Sequence, residues 1–453
     1  MSAPLPLLPG FKQALLCVFT LAGLVAGPLS ARSSPVPSTP AQGERGEAAP
    51  PTLRELPISL GPRPAYLVEA MAPGPLQEAL RRCATAPPRR SRFSIAHRGA
   101  PLQFPEHSRE GYLAAAQMGA GVLECDVTFT RDQELVCRHS ECDLHQTTDI
   151  LLRPALAAKC SEPFQPADPE TGREARARCC TSDLNLSEFK RLCARMDQHD
   201  PSAVTPEAYL GGGTPWRTQL YRGRCGTVMS HRESITLARG LGLAMTPELK
   251  RPARPLPEGF SRRQLSERFI SAYREAEVPL TDLYPQSFER KEIARWRALD
   301  PAFAARAVYL EGRVPSRRLL PRQRLLLLPL LLPLRRAGIE RLAAPLWMLA
   351  EASAEGALRV SPYGALAAEL GFELIAWTLE RSPPRSRRGR DWYYQGLEEV
   401  LTRDGDLFTL LHLLRHELPL IGVFSDWPAT VSYYASCPAL FEKPAPPQPP
   451  QRP

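Results

Sequence analysis

Short apolar runs alternate with helix-like segments through the middle of the chain. Runs of strand-like composition cover residues 92–96, 121–129, 134–138, 242–248, 281–284, 305–310, 357–360, 373–378 and 419–425. Between them lie segments with helical character, such as 108–118, 232–241, 288–298, 363–370 and 397–414. Strands that alternate with helices are typical of βαβ units and a parallel sheet.

The number of strands indicates how the sheet closes. The run at 134–138 follows its predecessor after a short turn, so we interpret it as a local hairpin strand. Eight strands remain, which is the number that closes a (β/α)8 barrel. We therefore predict an α/β fold, a TIM barrel, with a long Cys-bearing insertion at about 143–225 on the C-terminal rim of the barrel.

The pattern at the chain ends predicts segments outside the barrel. Lys12, the apolar run 14–27 and small residues near Ala31 indicate a signal peptide at 1–31. The apolar run is shorter than the about 20 residues of a membrane span, and a retained anchor is the alternative. The further boundaries that we predict are a flexible Pro-rich leader at 32–54, a pre-barrel segment at 55–90, the barrel at 91–437 and a Pro-rich tail at 438–453. Within the barrel, the leucine-rich run 325–334 is broken by two prolines, so we expect an amphipathic or buried segment and no stable membrane span.

Composition and charge indicate the cellular compartment and limit the classes of partner that the protein can bind. The chain has 49 prolines in 453 residues and a formal charge of +9, but no basic run is interleaved with aromatics, so we expect no nucleic-acid partner. Ten cysteines besides Cys17 form an even set, which in an exported chain favours disulfides. Cys125 and Cys137 lie in predicted buried strands, and free core thiols are the alternative there.

Ionisable residues collect at the carboxyl ends of the predicted strands, where barrel active sites lie. They are His97, Arg98, Glu124, Asp126, Arg138, His139, Glu248 and Lys250. Glu124 and Asp126 are two residues apart on one strand and point to the same face, so their charges repel unless a cation lies between them. A hard divalent cation, with Glu248 as a third oxygen ligand, is one solution, and pairing with arginines is the other.

The remaining side chains of this group point to phosphate chemistry. Two histidines at strand ends suggest acid–base catalysis near neutral pH. Arg98 and Lys250 carry positive charge suited to phosphate oxygens. Together with the carboxylates, they indicate cleavage of a phosphodiester.

Five segments resemble, in order, the signature of the glycerophosphodiester phosphodiesterase family. They are His97-Arg98-Gly99, Pro105-Glu106-His107-Ser108, Glu124-Cys125-Asp126-Val127, Arg138-His139 and Pro247-Glu248-Leu249-Lys250. The resemblance implies a TIM barrel that hydrolyses glycerophosphodiesters to sn-glycerol 3-phosphate and an alcohol, with Ca²⁺ or Mg²⁺ in the site. Ser140, which follows Arg138-His139, departs from the family pattern, which usually has His-Asp there.

The resemblance also implies a role for each residue. His97 and His139 would form the acid–base pair, and Glu124, Asp126 and Glu248 would bind the metal. The substrate and its phosphate would contact Arg98, Lys250 and Trp377, with Glu106 as a support of the site or, alternatively, a helix N-terminal acid.

Two other functions remain open on the sequence. A phospholipase D-like enzyme on the same barrel would act on lysolipids or sphingomyelin, and an inactive secreted binding protein would keep the barrel alone. For the enzyme we expect a small-molecule glycerophosphodiester substrate and an exported location, periplasmic or secreted.

Overall fold

A closed barrel of eight parallel strands is the centre of the molecule. The computed structural model describes residues 56–217, 225–385 and 391–441. The strands are β1 (Ser91–Ala96), β2 (Ala120–Phe129), β3 (Ala244–Leu249), β4 (Gln286–Ser287), β5 (Val308–Leu310), β6 (Arg341–Pro345), β7 (Glu373–Leu379) and β8 (Leu420–Ser425). Each pairs in parallel with its neighbours in this order, and β8 pairs with β1 to close the ring. The predicted TIM barrel is confirmed.

One predicted barrel strand is displaced along the chain, although Leu283 still pairs in parallel with Met245 of β3, and another is wrong. Residues Leu280–Asp282 form a 3-10 turn, and the strand lies beyond it at Gln286–Ser287. Its two residues are polar yet buried, so an apolar pattern does not reveal it. Leu358–Val360 pairs antiparallel with Ala350–Ala352 outside the barrel, and β6 takes its place in the ring.

Helices surround the barrel and lie on its amino-terminal side. Their bounds are Arg63–Glu69, Pro75–Arg82, Arg109–Gln117, His231–Leu241, Arg262–Glu275, Arg290–Leu299, Arg324–Arg336, Pro362–Glu369, Asp406–Glu417 and Pro428–Ala435. The helix predicted from 397 begins only at Asp406, because the Asp406 carboxylate accepts the backbone N–H groups of Thr402 and Arg403 and holds the preceding chain in a turn.

The barrel interior is filled by apolar side chains from seven of the strands. They are Ile95, Val122, Ala244, Val308, Leu310, Ala343, Ile375 and Phe424. Leu310 and Phe424 also form part of the floor of the cavity described below. The larger core lies between the strands and the helices and includes the buried Trp296 and Trp347.

The leucine-rich run forms the amphipathic helix Arg324–Arg336, as predicted. Leu327, Leu331 and Leu334 are fully buried, whereas Leu325 and Leu326 are exposed. Within the described ranges, no helix combines the length and the apolar character that crossing a membrane requires.

The stretch between β2 and β3 contains a small folded unit of its own. Short helices and two-stranded sheets, such as Glu162–Gln165 with Arg176–Arg178, surround a separate apolar cluster that includes Phe189 and Tyr209. The boundaries predicted for the leader, the insertion and the barrel stay predictions. Residues 1–55 and 442–453, with the predicted signal peptide and most of the tail, lie outside the described residues.

Disulfides pair all ten cysteines of the described residues. The pairs are Cys83–Cys437, Cys125–Cys137, Cys142–Cys180, Cys160–Cys179 and Cys193–Cys225. The alternative of free thiols at Cys125 and Cys137 is wrong, because the hairpin strand Leu135–Cys137 brings their Cα atoms to 5.4 Å. The three bonds Cys142–Cys180, Cys160–Cys179 and Cys193–Cys225 join parts of the stretch after β2.

Candidate active site

A cavity of about 320 Å³ opens at the carboxyl ends of the barrel strands. Its walls include nine residues that the sequence singled out. These are His97, Arg98, Glu106, Glu124, Asp126, His139, Glu248, Lys250 and Trp377. The closed barrel explains why these residues line one cavity, because the carboxyl ends of all parallel strands lie at the same end of the ring.

Three carboxylates meet at one side of this cavity. Glu124 and Asp126 point to the same face of β2, and Glu248 on β3 lies opposite Asp126 in the strand register. One oxygen of each lies within 4.8 Å of the others. Burial and the neighbouring Asp126 raise the pKa of Glu124 well above its usual value, and burial raises the pKa of Glu248 to about 7.

The carboxylates are only partly neutralised by protein cations. Lys250 Nζ lies 2.9 Å from Glu248 and 3.7 Å from Asp126, and Arg98 Nε lies 3.4 Å from Asp126. Burial opposes ionisation of Asp126, but Lys250 and His107 hold its pKa well below the usual range. Two cations thus face three carboxylates.

This donor set suits a hard divalent cation. Asp126 Oδ1 is buried and has no hydrogen-bond partner among the described residues. An orphaned carboxylate oxygen beside two further carboxylates matches the ligands that Ca²⁺ and Mg²⁺ prefer. A second cluster, Cys125, Cys137 and His231, does not suit a metal because its sulfurs form a disulfide.

His97 has a fixed orientation. Its Nδ1–H donates to Asp426 Oδ1 at 2.5 Å, at the end of β8, which leaves the Nε2 lone pair free. Burial and Arg98 lower the pKa of His97 to about 4, against the opposing effect of Asp426. Burial opposes ionisation of Asp426 as well, but Arg381 and His97 hold its pKa at about 2. His97 is therefore a neutral base at neutral pH.

His139 is held less firmly. Its side chain is exposed toward the cavity, and neither ring nitrogen has a hydrogen bond within the described residues. It nevertheless lies deep enough among protein atoms that desolvation lowers its pKa, which Arg98 and Lys250 lower further. The Ser140 N–H donates to Asp143 Oδ2 at 2.9 Å, so Asp143, four residues beyond His139, is the acid beside this turn.

The turn after β1 aims Arg98 into the site. Arg98 has a φ of 55°, and the next residue, Gly99, has a φ of 102°. A Cβ on Gly99 would lie 3.0 Å from the Gly111 carbonyl carbon, so only glycine fits this approach. The Arg98 N–H donates to Glu124 Oε2 at 2.9 Å and its Nη1 donates to Glu106 Oε2 at 2.9 Å.

Several residues of the site were not predicted. Arg381 Nη1 donates to Glu106 at 2.6 Å and to Asp426 at 3.2 Å, and Arg217 Nη2 donates to Asp426 at 3.0 Å. Asp197 pairs with Arg217. Other such contacts are those of Gln286 Nε2 with Glu124 at 2.8 Å and of His107 Nε2 with Asp126 at 2.9 Å.

Weak signals existed for some of these. Asp426 and Gln286 follow or occupy strand ends, and His107 lies in one of the quoted segments. For Asp197 and Arg217 we find no signal, because they lie in a stretch without periodicity.

Aromatic side chains form another wall of the cavity. Trp377 stacks on Trp392 with ring centroids 5.4 Å apart, and Phe288 meets Trp377 edge-on at 6.1 Å. Tyr393 also lines the cavity. Apolar parts of a substrate can pack on this wall while its phosphate faces the charged side.

Comparisons with known proteins bear on this site. A model of the glycerophosphoryl diester phosphodiesterase family matches residues 97–394. A protein of Arthroderma benhamiae described as an extracellular protein is 33% identical over 246 residues, 53% of this chain and 99% of the relative. A Mycobacterium tuberculosis protein described as a probable glycerophosphodiester phosphodiesterase is 51% identical over 116 residues, 25% of this chain and 42% of the relative.

Among solved structures, a phosphodiesterase from Oleispira antarctica, in complex with the product sn-glycerol-3-phosphate, is 18% identical with a TM-score of 0.44. The match covers 76% of this chain and 95% of that one. At this level of likeness we draw no argument from it.

The family match covers about two thirds of the chain and includes all nine predicted residues of the cavity. It confirms the predicted family and, with it, the class of phosphodiester-hydrolysing enzymes. The chain belongs to the glycerophosphoryl diester phosphodiesterase family.

Proposed function

We propose that the protein hydrolyses glycerophosphodiesters to sn-glycerol 3-phosphate and an alcohol, using a divalent cation and the pair His97 and His139. One observation carries the proposal: a single cavity brings the two histidines together with the carboxylate cluster of Glu124, Asp126 and Glu248 and with Arg98 and Lys250, which suit phosphate. A phosphodiester needs these elements together, because proton transfer and charge stabilisation act on neighbouring atoms.

The metal would be held by Glu124, Asp126 and Glu248. When bound, Ca²⁺ or Mg²⁺ stabilises negative charge on the phosphoryl oxygens. Arg98 and Lys250 line the same cavity and would contact the other phosphate oxygens.

The histidines move the protons. One takes the proton of the glycerol 2-hydroxyl, whose oxygen attacks phosphorus, and the other, in its protonated form, gives a proton to the oxygen of the departing alcohol. A cyclic phosphate results, and water opens it with the two roles reversed. The fixed tautomer of His97, with Nε2 free, suits it to the first deprotonation.

The location is part of the proposal. Five disulfides are typical of proteins that fold in an oxidising compartment, and the Arthroderma benhamiae relative is described as extracellular. We infer that this protein is exported, to the periplasm or the medium.

The direct test is hydrolysis of glycerophosphocholine by purified protein, with and without chelator. We expect chelation to abolish turnover and Ca²⁺ or Mg²⁺ to restore it. Glu248→Gln should raise the metal concentration that gives half-maximal activity, whereas Glu258→Gln, in a loop outside the cavity, should not. Full activity in metal-stripped protein would refute the metal role.

The attack by the 2-hydroxyl has its own test. A tethered nucleophile gains a large effective molarity, so a 2-deoxy analogue of glycerophosphocholine should turn over far more slowly at saturation. Equal kcat values would mean that water attacks directly, and the cyclic intermediate would be dropped.

A phospholipase D-like activity on lysolipids or sphingomyelin is the second candidate. It is favoured by the exposed Leu325 and Leu326 of the leucine-rich run, which could flank a lipid headgroup. Turnover of lysophosphatidylcholine and sphingomyelin beside glycerophosphocholine decides between them, and absence of turnover on all three would indicate a binding protein.

A further inference from the structure

Three exposed large apolar side chains lie close together in the sequence after β5. Leu319, Leu325 and Leu326 are 65%, 77% and 56% exposed, and all three lie in the stretch that leads from β5 into helix Arg324–Arg336. Side chains this apolar are costly to leave in water as a group. We call these three residues the leucine patch.

The chain segment that carries the leucine patch has charges of one sign only. Residues 312–339 contain seven arginines and ten leucines but no aspartate, glutamate or lysine. Arg317 and Arg324 pair with carboxylates elsewhere, whereas Arg318 and Arg322 are exposed and have no ion pair within the described part of the chain. A basic helix start with exposed leucines is the pattern of a segment that lies on an anionic membrane surface.

The leucine patch is connected to the aromatic wall of the cavity. Trp392 Nε1 donates to the Pro315 carbonyl at 3.0 Å, and the Trp392 ring stacks on Trp377. A Cβ on Gly312 would lie 2.8 Å from Phe288 Cδ1, so the same stretch also lies against Phe288. Phe288 and Trp392 are themselves about 40% exposed. The chain at 312–315 thus lies against the aromatic wall of the cavity and continues directly into the loop that carries Leu319. Aromatic side chains are favoured at a lipid interface.

The helix is too short to cross a bilayer. Its 13 residues span about 20 Å, against a hydrocarbon core of about 30 Å. Its inner face is also committed to the protein core through Leu327, Leu331 and Leu334. The exposed leucines lie in its first turn and the preceding loop, which suits a shallow contact at the headgroup level.

We propose that the leucine patch, with Arg318 and Arg322, docks the enzyme on anionic lipid surfaces with the mouth of its cavity toward the lipid. The leucines enter the boundary between headgroups and acyl chains, and the arginines contact lipid phosphates. An acidic protein surface would satisfy the arginines, but it would leave the three exposed leucines in water. The lipid surface satisfies both.

The test is co-sedimentation of the purified full chain with vesicles. We expect binding to phosphatidylcholine vesicles that contain 30% phosphatidylserine, weaker binding to pure phosphatidylcholine, and loss of binding at high salt. The variant L319S/L325S/L326S should lower the partition coefficient by about tenfold or more. Because every variant has the same N-terminus, that segment cancels in the comparison.

Matched variants separate the patch from general effects. Arg318→Gln with Arg322→Gln should lower binding by about fivefold per arginine, whereas Arg82→Gln with Arg239→Gln, at exposed sites outside this stretch, should change it little. Val204→Ser is the matched control for an exposed apolar residue. Melting temperature and turnover of glycerophosphocholine should stay at the parent's values in all of them.

Three results would overturn the proposal. The parent protein would fail to bind anionic vesicles at low salt, or the leucine variant would bind as well as the parent, or the two arginine pairs would have equal effects. If sedimentation velocity showed that the leucine variant converts a dimer to a monomer without changing vesicle binding, the patch would be a contact between copies instead.

Discussion

Asp426 holds three side chains of the site in position. It accepts the Nδ1–H of His97 and also bonds to Arg217 and Arg381, which lie on other parts of the chain. A buried carboxylate that serves one histidine and two arginines fixes all three side chains. The two histidines therefore differ: His97 is held by a hydrogen bond, whereas the His139 ring has none within the described residues.

Removing either histidine should lower the chemical rate. We expect His97→Ala and His139→Ala each to lower kcat by roughly 10²–10⁴, the usual contribution of general acid–base catalysis. Metal affinity should change much less. Steady-state kinetics with glycerophosphocholine is the measurement, and His416→Ala, on an exposed helix end, is the control. A variant with near-parental kcat would remove that histidine from the mechanism.

Asp143 gives a prediction about pH. Burial raises its pKa to about 6, so the folded protein holds this proton more tightly than the unfolded chain. Its contribution to stability therefore falls as pH rises from about 4 to 6 and stays low above that range. The free energy of unfolding of Asp143→Asn, measured relative to the parent, should rise by about 1–3 kcal/mol from pH 4.5 to pH 7.5.

Urea unfolding at the two pH values measures this gain. Asp168→Asn is the control, because a hydrogen bond from Thr171 lowers the pKa of that exposed carboxyl instead. A gain at Asp143 that does not depend on pH would contradict the argument.

The residues that sequence reasoning found share one property. They lie on or directly after strands that the sequence pattern predicts, so their position at the barrel mouth could be predicted as well. These residues are His97, Glu124, Asp126 and Glu248. Arg217 lies in the insertion, where no period places a side chain. The position of Asp426 after a strand could be predicted, but nothing in the sequence indicates that it contacts Arg217. The hydrogen bond between them could therefore not be predicted.

At the scale of elements, the count of strands was right for a partly wrong reason. Residues 357–360 were apolar enough to be counted but form an outer hairpin. β6, with the sequence Arg-Leu-Ala-Ala-Pro, begins with a charge and ends with a proline, so it lacked a strand pattern. Tertiary packing alone makes this segment a strand, because its neighbours β5 and β7 supply the missing partners.

The helix Arg63–Glu69 before the barrel supports the end of β7. Arg63 Nε donates to Glu380 Oε1 at 2.5 Å, and Glu380 is buried, has a φ of 62° and also accepts from Ser425 Oγ at 3.2 Å. Arg381, which holds Glu106 and Asp426, is the next residue. The pre-barrel helix thus lies against the chain that carries part of the site.

Arg63→Ala should therefore destabilise the fold, because it leaves a buried carboxylate without its cation. We expect a loss of about 1–3 kcal/mol in the free energy of unfolding, reduced from the fully buried case since Arg63 is one third exposed. Arg81→Ala, whose pair with Glu69 is exposed on both sides, should lose much less, because water screens an exposed ion pair. Equal losses in urea unfolding would contradict this role of Arg63.

At the scale of the whole molecule, the disulfides differ in the length of chain that they enclose. Cys83–Cys437 spans 354 residues, whereas Cys160–Cys179 spans 19. A crosslink that closes a longer loop restricts the unfolded chain more. Replacing both cysteines of the long pair by serine should cost about 3–5 kcal/mol, more than the same change in the short pair. Denaturant unfolding of the two double variants measures this order, and the reverse order would contradict the loop argument.

The Cys83–Cys437 bond also makes the barrel a covalent ring. Because this bond joins the segment before β1 to the segment after the last helix, a protease that cuts once in a loop between barrel strands opens the ring but releases no fragment. Both pieces stay attached until the bond is reduced. A nicked sample should run at full mass on a non-reducing gel and as two bands after reduction. A barrel closed in this way therefore keeps its strands covalently connected after a cut that would divide an unbridged chain in two.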